Sequence, residues 1–323
     1  MREILKMLTI VSRPEFLPAN SASIIVGVSW GIKLPVDIAW GLAVPLSLIF
    51  AIITLVAAFA AQVNTVSDYE LDLKDDSKKK LVQAMRDLGK DRLRSFMVTE
   101  ILFSLTLLVA LMLITGKPTL LLVWMATVFL AYAYSAQPLR LKSRSWLAVA
   151  TLLLVLSILP INFVVHVFAT QLDPIFLLFL VGQALTVYGV IIPAEIRDYF
   201  VDRTMGIETM TVQLGLVRAS LFSVALLSVG GILCGGGFLL KLASGSYPAL
   251  AVSLSVMVVA YVTVLRKYMK LYILSKKYSS SENQDSVAQG IVELSANNPR
   301  WITLITQTIV FMSLVLLASK ILS

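Results

Sequence analysis

Apolar stretches of about twenty residues recur along almost the entire chain, and no other feature restricts its fold so tightly. An α-helix rises about 1.5 Å per residue, so a run of that length is what it needs to cross the hydrocarbon layer of a bilayer. Bounded by charged or Gly/Pro punctuation, the runs predict helices over 15–32, 39–67, 93–116, 119–136, 145–169, 173–197, 217–243, 246–265 and 300–321. Only 14% of residues are charged and 58% are hydrophobic, where soluble domains carry about a quarter charged. The chain therefore reads as an all-α polytopic membrane protein of nine transmembrane helices, with one membrane domain over 1–323.

The lone cysteine, Cys234, excludes an internal disulfide and any CxxC metal or redox pair. Met1 to Arg13 lacks the order of a cleavable signal peptide, so the first membrane helix is expected to direct insertion. A net charge of +8 would suit nucleic acid, but the distribution of the cations points elsewhere. With the N-terminus in the cytoplasm, the connections after the second, fourth, sixth and eighth helices face the same side. All basic residues except Lys33, Lys117, Lys241 and Lys320 then fall on that side or at its helix ends, as the positive-inside rule requires. Nucleic acid is not an expected partner; membrane lipid is.

Two long connections lie on this face, 68–92 with KDDSKKK, and 266–299 with SSSENQDS. The first adjoins an acidic motif. The second reads as an amphipathic or mobile linker beside anionic headgroups, without a chemical role.

At the inner end of the second helix NTVSDYELD places Asn64, Asp68 and Asp72 four apart, on one helical stripe. At the inner end of the sixth, EIRDYFVDR places Asp198 and Asp202 four apart, with Glu195 a turn earlier. Four crossings separate the motifs, so both emerge on one side of the membrane. Magnesium takes oxygen ligands, commonly one or two carboxylates completed by substrate phosphate and water. Two facing carboxylate sets therefore suit a diphosphate held through Mg2+, and bound cations make such a density of like charge tolerable. A single Asp at a membrane boundary commonly does no more than solvate a helix end; two spaced sets favour function, because ionisable groups at membrane depth are costly.

With these residues in view, the chain resembles the UbiA superfamily of intramembrane aromatic prenyltransferases, whose motifs run NxxxDxxxD on helix 2 and DxxxD on helix 6. The string RDYFVDRTMGIETMTVQLG, from Arg197 to Gly215 and including Arg203, is similar to the extended second motif. RPEFLP, Arg13 to Pro18, with Gly27 beyond it, resembles the opening of the family's first helix, and YSAQPLRLK, Tyr134 to Lys142, resembles the loop after its fourth. The resemblance implies nine helices around a central cavity, capped on the cytoplasmic side by loops at about 68–92 and 198–216. Departures occur at Thr65, where many members have Asp, and at Ala194 and Glu195, which replace an Asn/Asp pair. KKLVQAM, starting at Lys79, is similar to the menaquinone-forming and dihydroxynaphthoate prenyltransferase branch.

The resemblance implies a reaction: Asn64, Asp68, Asp72, Asp198 and Asp202 hold magnesium on a polyprenyl diphosphate, whose allylic carbon–oxygen bond ionises toward a small aromatic or lipid acceptor. Lys79, Arg140, Lys142, Arg197 and Arg203 are candidates for diphosphate contacts, with Glu195 beside them. Tyr134 is the candidate aromatic wall for the cation; the competing role is an interfacial anchor. His166, mid-helix and distant from the acids, reads as a packed histidine, and Glu100 is an outside candidate for the base. The setting is a prokaryotic plasma membrane with the site toward the cytoplasm. The alternatives are prenylation of a glyceryl phosphate lipid precursor and a transporter, whose intramembrane charges belong near the midplane. Phospholipid headgroup transfer lacks its DG…AR string here.

Overall fold

The computed structural model describes residues 2–32, 41–73, 78–169, 171–204, 206–243, 247–280 and 283–322. Lys33, residues 39–40 of the second predicted helix, residue 246 of the eighth, 74–77 of the KDDSKKK run, Met205 and 281–282 lie outside them. The described residues form thirteen α-helices and no strand.

Seven stretches are long and apolar enough to cross a membrane: Ala43–Asp72, Lys90–Thr115, Trp146–Phe168, Pro174–Thr204, Met210–Leu242, Leu250–Ser280 and Gln284–Ile321. Within this set α3 is Ala43–Asp72, α5 is Lys90–Thr115, α9 is Pro174–Thr204, α10 is Met210–Leu242, α11 is Tyr247–Ser280 and α13 is Asn298–Leu322. Two of the nine expected segments are shorter apolar helices, α2 at 15 residues (Leu17–Gly31) and α6 at 16 (Leu120–Ser135). The fifth segment is α7 (Trp146–Leu153) and α8 (Leu159–Phe168), joined by a π-helical turn over Leu154–Ile158. Pro160 follows that turn and has no amide hydrogen to give it, a recurrent cause of such local unwinding.

Several helices outrun the apolar segments that predict them. The 30 residues of α3 rise about 45 Å, against a hydrocarbon layer of about 30 Å, so its polar last turns project past that layer. The stretch expected as a linker over 266–299 is helical among its described residues: α11 continues to Ser280, and α12 (Gln284–Ala296) buries Val287, Ile291 and Ser295. Those buried positions recur every fourth residue, which seats α12 against α9 and α11. The expected loop over 198–216 is likewise mostly helix among its described residues, with residues 206–209 outside both helices. The Thr209 hydroxyl caps α10 by accepting from the Val212 amide at 3.3 Å. Gly215 interrupts α10 with φ 75°, a conformation that needs the missing Cβ.

Two amphipathic helices complete the same end. The helix α1 (Arg2–Val11) packs on α4 (Lys79–Leu88), burying Val11, Ala84, Met85 and Leu88 against Leu93 of α5. Two of the clusters that make up the bundle core share α2 and α8. One gathers Trp30, Phe176, Phe179 and Phe238, with the Trp30 and Phe179 rings stacked 4.9 Å apart. The other packs α3, α5 and α6 around Ile49, Leu108, Leu111 and Trp124. The tightest seam is between α9 and α10, where a Cβ on Gly182 would lie 2.3 Å from the Cys234 amide nitrogen. Outward-facing Leu113, Ile232 and Val259 are 81%, 72% and 67% exposed, which lipid accommodates and water does not.

Candidate active site

Asn64, Asp68 and Asp72 form one stripe on the last two turns of α3, and the segment after α6 folds over it. There a 3-10 turn, Leu141–Ser143, points Lys142 into the stripe. The Lys142 ammonium donates to Asn64 Oδ1 at 2.9 Å and to Asp68 Oδ2. The Asn64 oxygen also accepts from Ser135 Oγ at 2.8 Å, and Arg140 Nη2 donates to Asp68 Oδ1 at 3.2 Å. Arg140 takes φ 36°, a left-handed conformation that a side chain disfavours, and its amide is held by the Ala136 carbonyl at 2.8 Å. Burial holds the Lys142 ammonium below the usual lysine range, against the pull of Asp68 and Asp72.

Asp72 is 4% exposed and accepts from Lys78 Nζ at 2.6 Å. The Lys78 charge also acts on Asp202 of α9, so this lysine is within electrostatic reach of both acid motifs. Asp202 in turn interacts with Asp198, and both act on Glu195. The half-buried Tyr134, near the end of α6, lies within electrostatic reach of both Glu195 and Asp68. A chain of neighbours thus runs from Asp68 through Tyr134 and Glu195 to Asp202, and from there through Lys78 to Asp72. Asp68, Asp72, Glu195 and Asp202 converge on one end of the bundle, although α3 and α9 are far apart in the chain.

The remaining expected residues are arranged less centrally. Asp198 is paired with the adjacent Arg197 through two contacts of 2.8 and 3.1 Å, both side chains being about half exposed. Arg203 is exposed and forms no ion pair among the described residues. Lys79 starts α4 and lines a groove of about 1160 Å³ between α1 and α4, with Asp72 in its wall. The Glu195 oxygens are occupied within the protein: Thr211 of α10 donates at 2.7 Å and Tyr188 at 3.4 Å, which ties α9 to α10. His166 contacts Thr119 at the far end of the bundle.

Among the described residues, no three His, Cys, Asp or Glu side chains approach closely enough to cage a metal unaided. Each set carries its own counter-ions instead, Lys142 and Arg140 on Asp68, Lys78 on Asp72 and Arg197 on Asp198. Lys78, Ser135, Tyr188 and Thr211 belong to this network and are not among the residues expected from the sequence. For Lys78 the resemblance of KKLVQAM points to the neighbouring Lys79 instead, and only the contact with Asp72 distinguishes Lys78.

The pattern of the UbiA prenyltransferase family matches residues 22–271, a stretch containing both acid motifs and the Tyr134–Lys142 segment. The chain belongs to the UbiA prenyltransferase family. It is an integral membrane prenyltransferase. No curated protein matches it. Solved structures with the same fold include a UbiA homolog from Archaeoglobus fulgidus bound to GPP and Mg2+, 16% identical over 93% of this chain and 99% of that one, TM-score 0.62. A digeranylgeranylglyceryl phosphate synthase is 14% identical over 97% and 99%, TM-score 0.65. An apo UbiA homolog from Aeropyrum pernix K1 is 13% identical over 94% and 97%, TM-score 0.62. At such identities the likeness is one of fold, and the assignment to this UbiA member of individual residue roles rests on its own geometry.

Proposed function

We propose that this UbiA enzyme transfers the prenyl group of a polyprenyl diphosphate to an aromatic quinone precursor, with Mg2+ as cofactor. The observation that carries the reading is the position of Lys78 and Tyr134, each interacting with groups from both α3 and α9. The donor set fits magnesium, because the Asp68, Asp72, Asp198 and Asp202 carboxylates and the Asn64 amide oxygen are hard ligands. Few protein ligands per ion are needed when a diphosphate supplies the rest. An A. fulgidus neighbour that holds GPP with Mg2+ supports the same assignment.

Magnesium bound there supplies Lewis-acid stabilisation of the negative charge that develops on the leaving diphosphate. Lys142, Arg140 and Lys78 release their carboxylates and donate charge-assisted hydrogen bonds to the phosphate oxygens. Arg197, Arg203 and Lys79 stand further out, where they meet the anion on approach. The Tyr134 ring presents its π face to the allylic carbon as positive charge grows there. The prenyl tail lies among apolar helices that exclude water, so the acceptor ring competes with no hydrolysis. The KKLVQAM string favours an aromatic quinone precursor; a glyceryl phosphate acceptor is the competing reading, favoured by the fold match to digeranylgeranylglyceryl phosphate synthase. Nine crossings with a cytoplasmic N-terminus, which the distribution of basic residues supports, put the site on the inner face of a prokaryotic plasma membrane.

Two measurements test this. Asp68→Ala and Asp198→Ala in purified protein should abolish magnesium-dependent binding of geranyl or geranylgeranyl diphosphate; unchanged binding refutes the site. Labelled prenyl diphosphate supplied with dihydroxynaphthoate, hydroxybenzoate or a glyceryl phosphate should yield product with dihydroxynaphthoate. A product formed only with the glyceryl phosphate replaces the aromatic acceptor.

A further inference from the structure

Away from the acid cluster, three polar side chains meet where α1, α3 and α5 cross. Gln62 of α3 is fully buried, and its Nε2 donates at 2.9 Å to Ser12 Oγ and at 2.9 Å to Glu100 Oε1 of α5. Both amide hydrogens are thereby used. The other two oxygens of the contact, Gln62 Oε1 and Glu100 Oε2, are enclosed and have no hydrogen-bond partner among the described residues. An enclosed acceptor without a donor forfeits its hydration for nothing, and here two of them belong to one contact. Phe59, Val63, Met97 and Ile101 pack nearby, and among the described residues no charged group acts on the carboxyl.

One proton resolves both vacancies. Were the acid and amide to form a planar cyclic pair, their two remaining oxygens would lie side by side, and a hydrogen on Glu100 Oε2 would donate to Gln62 Oε1 and leave no acceptor unserved. We propose that Glu100 is held as a neutral carboxylic acid in a cyclic pair with Gln62, and that this pair positions α3. Gln62 precedes Asn64 by two residues, about 200° around the helix, so the pair lies behind the acid stripe. It sets the rotation of α3 against α5, and through Ser12 against the end of α1, without touching substrate. Glu100 is therefore a positioning residue and not the base that takes the acceptor's proton. Its value to the reaction rests on the metal-binding reading of the stripe; its protonation does not.

The test has two arms. Infrared difference spectroscopy of wild type against Glu100→Gln should show a protonated-carboxyl C=O band in the wild type that the variant lacks. Magnesium-dependent binding of geranyl diphosphate should change by less than about twofold in Glu100→Gln, whose amide donates where the acid did, and weaken about tenfold in Glu100→Leu. Absence of the band refutes the neutral acid. Glu100→Gln as damaging as Glu100→Leu, or Glu100→Leu binding like wild type, refutes the positioning role. Should Glu100→Leu fail to fold, the band and the Glu100→Gln affinity still decide. If wild type binds no geranyl diphosphate, the functional reading fails and the infrared arm still judges the pair.

Discussion

Lys142→Met removes the ammonium at the centre of the acid stripe while preserving the length of the side chain. In the free enzyme that ammonium touches Asn64 Oδ1 and Asp68 Oδ2, and its side chain is only 17% exposed. A charge-assisted hydrogen bond from such a group is worth about 1.5–3 kcal/mol, and its transfer to a phosphate oxygen on substrate binding carries the same scale. Each 1.4 kcal/mol is about tenfold in affinity, so geranyl diphosphate should bind about 10- to 100-fold more weakly to Lys142→Met in saturating magnesium. Magnesium alone should respond in the opposite sense. Asp68 keeps only Arg140, at 3.2 Å, and a lost competitor leaves the carboxylate more available to a cation. Isothermal titration calorimetry with geranyl diphosphate, and separately with MgCl2, measures both. If diphosphate affinity is unchanged, or if the two affinities fall together, Lys142 does not alternate between carboxylate and phosphate and the reasoning is wrong.

Asp202→Asn removes one of two interacting acids on α9, and should reduce turnover at least about a hundredfold in a radiolabelled prenyl transfer assay while leaving the melting temperature equal or higher. Tyr134→Phe keeps the ring and should retain activity, whereas Tyr134→Ala should slow transfer by up to about thirtyfold, the scale of a desolvated cation–π contact; equal rates would remove Tyr134 from the site. Gly182→Ala forces a methyl to within 2.3 Å of backbone on α10 and should cost about 3 kcal/mol in detergent unfolding, whereas at Gly236 a Cβ meets nothing within 4 Å and alanine should be neutral or slightly stabilising. Burial pushes the Asp173 carboxyl up, but the Lys241 hydrogen bond at 2.6 Å, the Ile175 amide and the Lys241 and Lys320 charges outweigh it and leave it below the ordinary value. A depressed carboxyl stabilises the fold above its unfolded pKa of about 3.9, and that contribution is lost as pH falls through the lower folded value. For so exposed a pair it is under about 1 kcal/mol, so Asp173→Asn should abolish a small acid-dependent drop in melting temperature below about pH 4.

Seven of the nine expected spans were legible because apolar length is a direct readout of bilayer thickness, and the acid stripes because an interval of four is a direct readout of helical geometry. Helix ends were not. Hydrophobicity falls away where a helix leaves the membrane while its hydrogen-bond ladder continues, so α3, α9 and α11 run on into polar sequence. Residues 284–296, within the stretch expected as an amphipathic or mobile linker, were obscured for a related reason: their polarity is that of a surface helix, and only the recurrence of Val287, Ile291 and Ser295 marks the buried face. Within the site, Asn64, Asp68 and Asp72 stand out by spacing, whereas KKLVQAM points to Lys79 and only the contact with Asp72 picks out Lys78. Glu195 shows the reverse limit. Its spacing places it on the acid face, but Thr211 and Tyr188, which engage its oxygens, are fixed only by the crossing of α9 and α10.

The counter-ions within the acid cluster bear on what the site needs before its ligands arrive. Asp68 and Asp72 already have Arg140, Lys142 and Lys78 for neighbours, so the folded bundle has no shortage of positive charge at this end. The acid end of the bundle therefore needs no divalent ion to balance Asp68 and Asp72, and under the function proposed above metal and diphosphate would bind together by displacing these cations.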